Sequence, residues 1–192
     1  KKSFVRPRDI IDAGLSLLKL DTKLKKYLEP DCFDGEELKP LEVIADLSKL
    51  PLLLKLMSLC PISDIDLERL LKKLRANIIM SINDCISSSD LLTFQSALAL
   101  QCFTNEYLYD KSIAEDKALL LLEETVKLDI SNNNQPSPQK ILSLASYKPL
   151  REYEWSSSLL VTDEIKEVYT RQIIDPEREI KIRQSLPLLN NI

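Results

Sequence analysis

Apolar residues recur along this chain at the three- and four-residue steps of a helical face, and no sustained period-two alternation interrupts them. The densest case is LLTFQSALALQCFTNEYLY, residues 91–109, whose stretch from Leu91 to Asn105 carries no charge. Leu91, Phe94, Leu98, Cys102 and Asn105 share one face of that predicted helix, while Ala97, Ala99 and Leu100 make the other side apolar too. A helix apolar all round belongs inside a protein. Leu92, Leu98, Cys102 and Phe103 are therefore expected to be almost wholly buried. The uncharged run reaches only about 22 Å and is broken by Thr93, Gln95, Ser96 and Gln101, so it does not read as a membrane span.

The rest of the pattern predicts further helices around this one. A first helix is expected from Ile10 to Leu20, then a basic turn at 22–28 and a loop rich in turn formers at 29–35. Pro40 and Pro51 each suit a first helical turn, and Pro61 stops the second of those helices. Ser63 and Asp64 open a long helix to about Ser87, with Leu67, Leu70, Leu71, Leu74, Ile78, Ile82 and Cys85 inward and Glu68, Arg69, Lys72, Lys73 and Arg75 toward water. Ser112-Ile113-Ala114-Glu115 has the spacing of a capping box and begins a helix to Leu128. A polar loop at 131–136, the expected mobile element, precedes a helix that starts at Ser137-Pro138 and ends by Pro149. Residues 155–160 carry no clear period; Thr162 caps a helix to Ile174, and Asp175-Pro176-Glu177 has the form of a fresh start. The predicted fold is all-α, an irregular helical bundle or short α-solenoid of about eight helices, with a basic N-terminal helical segment at 1–30 and an all-α domain at 31–192.

Composition removes whole classes of chemistry. Gly14 and Gly35 are the only glycines, too few for a dinucleotide-binding loop, a phosphate-binding loop or the cofactor loop of a methyltransferase. The absence of histidine removes the commonest general base and zinc ligand. Cys32, Cys60, Cys85 and Cys102 form no CxxC pair and read as reduced core thiols of a cytoplasmic protein, with no metal site. Neither a signal peptide nor a transmembrane run is apparent. Residues 1–28 hold eight Lys or Arg against three Asp, while the whole chain is at −4, so the body is strongly acidic. Such a body does not suit nucleic acid, which requires clustered cations.

One set of segments does resemble a family. QCFTNEYLY (101–109), together with LPLLLKLMSLCPISDIDLERLLKKLR (50–75), SLASYKPL (143–150) and QIIDPEREIKIRQSLPLL (172–189), is similar in sequence and order to bacterial proteins that join tetratricopeptide repeats to a class I S-adenosylmethionine-dependent methyltransferase. In that family the segment lies between the repeats and the catalytic domain. The resemblance implies a non-catalytic helical accessory domain that positions the catalytic domain or recruits a protein substrate. It also implies that S-adenosylmethionine binds downstream of residue 192 and that no cofactor binds here. A free-standing helical adaptor for protein–protein contacts is the alternative.

Six residues are candidates for a partner-binding or structural role. Asn105 and Glu106 either satisfy free backbone groups at a helix junction or, with Tyr107 or Tyr109, hold a cationic or amide group of a substrate protein. Glu106, at the edge of an uncharged run, is expected to be at least half buried and hydrogen-bonded. Tyr147 is a packed helix stop or a partner-binding corner, and Trp155 is a wedge between helices or an exposed anchor. No catalytic residue is expected.

Overall fold

Prolines and polar caps set most of the helix starts. In the computed structural model, which describes residues 7–29, 39–84 and 87–185, the helices are α1 (Pro7–Leu18), α2 (Thr22–Leu28), α3 (Pro40–Leu47), α4 (Pro51–Leu59), α5 (Ile65–Met80), α6 (Ser89–Thr104), α7 (Ile113–Ser131), α8 (Pro138–Ala145), α9 (Asp163–Tyr169) and α10 (Asp175–Ser185). No strand occurs among the described residues, and the chain is all-α. Pro40, Pro51 and Pro138 each stand at the first turn of their helix, where the missing amide proton would have had no partner. Asp64 and Ser88 accept the Leu67 and Leu91 amides at the starts of α5 and α6. The Ser112–Glu115 capping box is formed in both directions.

Helix α6 stands between two apolar cores, which is why its sequence is apolar all round. Leu91, Phe94, Ala97, Leu98 and Cys102 enter a core shared with α1 to α5. Ala99 and Leu100 enter a second core, built with α7, α8, α9 and the segment 147–159. Leu98 and Cys102 are fully buried as expected, but Leu92 and Phe103 are only half-buried. Leu92 sits against the edge of the second core, and Phe103 lies in the last turn, where the chain leaves the interior.

Several element boundaries differ from the sequence expectation. Residues 22–28 form a helix rather than a turn, because Asp21 caps it through the Lys23 and Leu24 amides and Leu24 and Tyr27 anchor it in the first core. Helix α5 ends at Met80 rather than near Ser87. Asp175 does not open a separate helix. Helix α9 continues through a π-helical turn, Thr170–Ile174, straight into α10, with the Asp175 amide donating to the Thr170 carbonyl. A proline lacks the amide proton and its ring collides with the carbonyl four residues back, so the wider turn before Pro176 makes room for it. The loop expected at 29–35 lies outside the described residues beyond Glu29, as do Cys32 and Cys85. Cys60 and Cys102 are free thiols.

Candidate functional site

The polar centre of the molecule starts from a side chain expected in water. Arg75 lies four residues after Leu71 and three before Ile78, on the apolar face of α5, and is 2% exposed. Its guanidinium donates to the Tyr109 carbonyl (3.3 Å), the Asp110 carbonyl (2.8 Å) and Glu115 Oε1 (3.3 Å). The Tyr147 ring faces it at 4.3 Å and the Tyr109 ring at 5.7 Å. Arg75 is thus buried rather than solvated, because Glu115, forty positions away, supplies the counter-charge that local periodicity does not show.

Glu115 is the third residue of α7. Its Oε2 accepts the Ser112 amide (2.8 Å), and its Oε1 accepts the Tyr147 hydroxyl (2.9 Å) as well as Arg75. Burial opposes its ionisation, but the Ser112 amide, the Tyr147 hydroxyl and the Arg75 guanidinium together hold the carboxyl below its usual range. Burial pushes the Tyr147 phenol upward and raises the neighbouring Cys102 thiol to about 12. The gap lined by Arg75, Gln95, Leu98, Ser143 and Tyr147 is too small for a water molecule. An enclosed, neutralised ion pair of this kind fixes α5, α7 and the end of α8 together and leaves no room for a reacting substrate.

The QCFTNEYLY segment builds one wall of this centre. The Tyr107 amide reaches back to the Cys102 carbonyl (2.8 Å), closing the end of α6 through residues in the left-handed region, Glu106 at φ 57 and Tyr107 at φ 59. Asn105 is buried at the end of α6 with an unpartnered side-chain oxygen. The Tyr107 hydroxyl donates to the Ala145 carbonyl (3.2 Å), and Tyr109 is buried with its ring beside Arg75. Glu106, however, is exposed, and the expectation that it is half buried and bonded within the domain is overturned. The left-handed turn carries its side chain out of the interior, and Glu115 is the carboxylate the core holds. Trp155 stands apart from this group; it is packed inside, stacked on Tyr153 at 4.6 Å, and is a wedge rather than an exposed anchor.

Three buried glutamines, none singled out from the sequence, tie the two cores to α6. Gln95 donates to Ser143 Oγ (2.9 Å) and the Gln139 carbonyl (3.3 Å). Gln101, with its amide oriented to suit its neighbours, donates to the Met57 and Cys60 carbonyls and accepts the Ile62 amide. Gln172, inside the π turn, accepts the Leu150 amide (3.0 Å) and donates to the Ala145 (3.1 Å) and Ala99 (3.4 Å) carbonyls. For Gln95 and Gln101 the available signal is an uncharged polar residue within an apolar helix, which by pattern alone marks only a break in the run; Gln172 carries no such signal.

What the surface offers is a groove of about 640 Å³ between α4, α6 and the start of α9. Leu54, Leu92, Ala97 and Leu100 give it an apolar floor, Ser58, Ser88, Thr93 and Ser96 add hydroxyls, and the walls carry Lys55 on α4 and Asp163, Glu164 and Glu167 on α9. These three carboxylates are exposed, and none has an ion-pair partner among the described residues. No group of three or more potential metal ligands occurs among the described residues, and none of their helices is long and apolar enough to cross a membrane. No family model, no curated protein and no solved structure matches the chain.

Proposed function

We infer that the chain is a non-catalytic helical accessory domain of a cytoplasmic, methyltransferase-family protein, which recruits a protein substrate or seats the catalytic domain. The observation that carries this reading is the groove between α4, α6 and α9: apolar in its floor, acidic on its α9 wall, and set on helices locked by buried polar contacts. Its charge suits a protein segment in which Lys or Arg alternates with apolar residues. The link to methyl transfer rests on the resemblance of residues 50–75, 101–109, 143–150 and 172–189. On this reading S-adenosylmethionine binds to a neighbouring domain and not to this chain. A free-standing adaptor would use the same groove and differ only in lacking that neighbour.

Selection of random displayed peptides on the full chain tests the groove. Enriched sequences should carry basic residues among apolar ones, and should lose about ten-fold in affinity against the Asp163→Lys/Glu167→Lys variant. Acidic winners, or binding indifferent to that variant, refute the groove assignment. Calorimetric titration with S-adenosylmethionine and the codons after Ile192 test the other half. A stoichiometric micromolar complex with this chain contradicts the accessory reading, a glycine-rich strand–turn–helix downstream supports it, and a stop codon there favours the adaptor.

A further inference from the structure

Helix α7 has two apolar faces, and the fold uses one. Leu122 and Val126 enter the second core, and Glu115 meets Arg75 on the same side. At about 100° per residue, Ile113, Lys117, Leu120, Leu121, Glu124 and Leu128 fall within a sector about 100° wide on the opposite side. The four apolar members are strongly exposed: Ile113 78%, Leu120 63%, Leu121 65% and Leu128 63%. Helix α7 packs chiefly on α5 and α8, and no element among the described residues covers this stripe. The other carboxylates of the helix are paired internally, Glu115 with Arg75, Asp116 with Lys111, Glu123 with Lys148 and Asp129 with Lys140, while Lys127, flanking the stripe, has no ion-pair partner among the described residues. Lys117 and Glu124 have no ion-pair partner among the described residues.

The stripe has an internal symmetry. Ile113 and Leu128, Lys117 and Glu124, and Leu120 and Leu121 form three nested pairs with one common midpoint, between Leu120 and Leu121. If a second α7 is laid antiparallel across that midpoint, every apolar residue meets an apolar residue and each Lys117 meets a Glu124. A surface complementary to itself under a two-fold rotation is what an isologous dimer needs. A groove of about 360 Å³ runs alongside, lined by Ala114 and Ala118 on α7 and by Met80 beyond the stripe, and widens the apolar contact. We propose that the outward face of α7 is a two-fold interface between copies of this chain, the helices antiparallel and crossing at Leu120 and Leu121. This face is separate from the α4–α6–α9 groove and does not depend on what that groove binds.

One helix pair with a narrow apolar border covers less than the roughly 800 Å² per partner of a stable complex, so the dimer is a concentration-dependent one. Sedimentation equilibrium on the 192-residue chain should show the mass rising from 22.0 kDa toward twice that value, with the transition near ~10–100 µM. Glu124→Lys and Lys117→Glu should each weaken association about ten-fold, since each sets like charges against each other twice across the axis. Mixing the two variants in equal amounts should restore it, because the mixed pair regains both opposite-charge contacts. The double variant Lys117→Glu/Glu124→Lys should also restore it. All these side chains are exposed, so helical circular dichroism should stay at the wild-type level. A chain still monomeric at ~500 µM overturns the proposal and leaves the face to a different protein. Single variants that associate like the wild type, or a mixture no tighter than its components, overturn it equally.

Discussion

Removing the Glu115 carboxylate isolates the Arg75 charge inside the protein, and the structure sets the size of the loss. Arg75, 2% exposed, would keep the Tyr109 and Asp110 carbonyls and the Tyr147 ring but lose its only counter-charge among the described residues. Breaking a buried pair by deleting one partner costs about 3–5 kcal/mol, and the two retained carbonyl contacts place this case at the lower end. The Ser112 amide also loses its acceptor, adding about 0.5–1 kcal/mol. Glu115→Ala should therefore cost about 3–4 kcal/mol, a large part of the ~5–15 kcal/mol that holds a domain of ordinary stability. Glu115→Gln, which keeps the shape and one acceptor, should cost about 1–2 kcal/mol. Urea unfolding followed by the fluorescence of Trp155, buried in the second core, reads both losses, with an unchanged denaturant slope as the mark of two-state behaviour. The pair itself is tested by Arg75→Met/Glu115→Ala, which should lose about 1–3 kcal/mol less than the sum of the single variants. A loss under about 1 kcal/mol for Glu115→Ala, or additive single variants, would refute the account of Arg75 and Glu115 as a coupled buried pair.

The same carboxyl sets an acid limb. Its folded value lies below its ordinary one, so its stabilisation is complete above the unfolded value of about 4.3 and is lost as pH falls through the lower folded value; Glu115→Gln should flatten that limb of a stability–pH curve. Glu106→Gly should stabilise the domain by about 0.5–1 kcal/mol in urea unfolding, because φ 57 strains a residue with a Cβ and the side chain is exposed; destabilisation would show an unrecognised contact. Leu98→Ala should cost about 2–5 kcal/mol and Leu92→Ala clearly less, since the first is 1% exposed and the second half-buried; equal losses would contradict the two-core placement of α6. Native-state maleimide labelling mapped by mass spectrometry should modify Cys60 at least about ten-fold faster than Cys102, whose thiol is buried and raised to about 12; comparable rates would mean that the interior opens readily.

The fold was legible where a local rule decides it. Pro40, Pro51 and Pro138 in first turns, the Asp64 cap and the Ser112–Glu115 box act within one turn of chain, and each marked a true helix start. The surplus of apolar residues around α6 correctly signalled burial on all sides. Boundaries failed where a distant contact overrides the local signal. Residues 22–28 look like a basic turn until Tyr27 is seen bonded to Asp46 (2.8 Å), and Pro176 looks like a helix start until Gln172 is seen holding the π turn. The polar centre was half visible for the same reason. Asn105, Tyr107, Tyr109 and Tyr147 stood out as aromatic and amide residues beside an uncharged run. Arg75 and Glu115, forty positions apart, have no periodicity that links them.

The buried polar groups solve a problem that leucine creates. Helices α4, α6 and α8 present mostly Leu, Ile, Ala and Met to one another, and apolar contact is nearly indifferent to which leucine meets which. A slip of α6 by one turn, about 5.4 Å, would exchange one apolar contact for another at modest cost. It would also pull Gln101 from the Met57 and Cys60 carbonyls, Gln95 from Ser143, and the Ala99 carbonyl from Gln172. Each group left unpaired costs about 1–3 kcal/mol, so the three glutamines together outweigh what a slipped apolar contact could return. Arg75 and Glu115 apply the same constraint between α5 and α7. Register in this domain is therefore set by its few interior polar side chains, and the α4–α6–α9 groove inherits its shape from them. Leu92, Thr93 and Ser96 line that groove on the same helix whose position Gln95 and Gln101 fix.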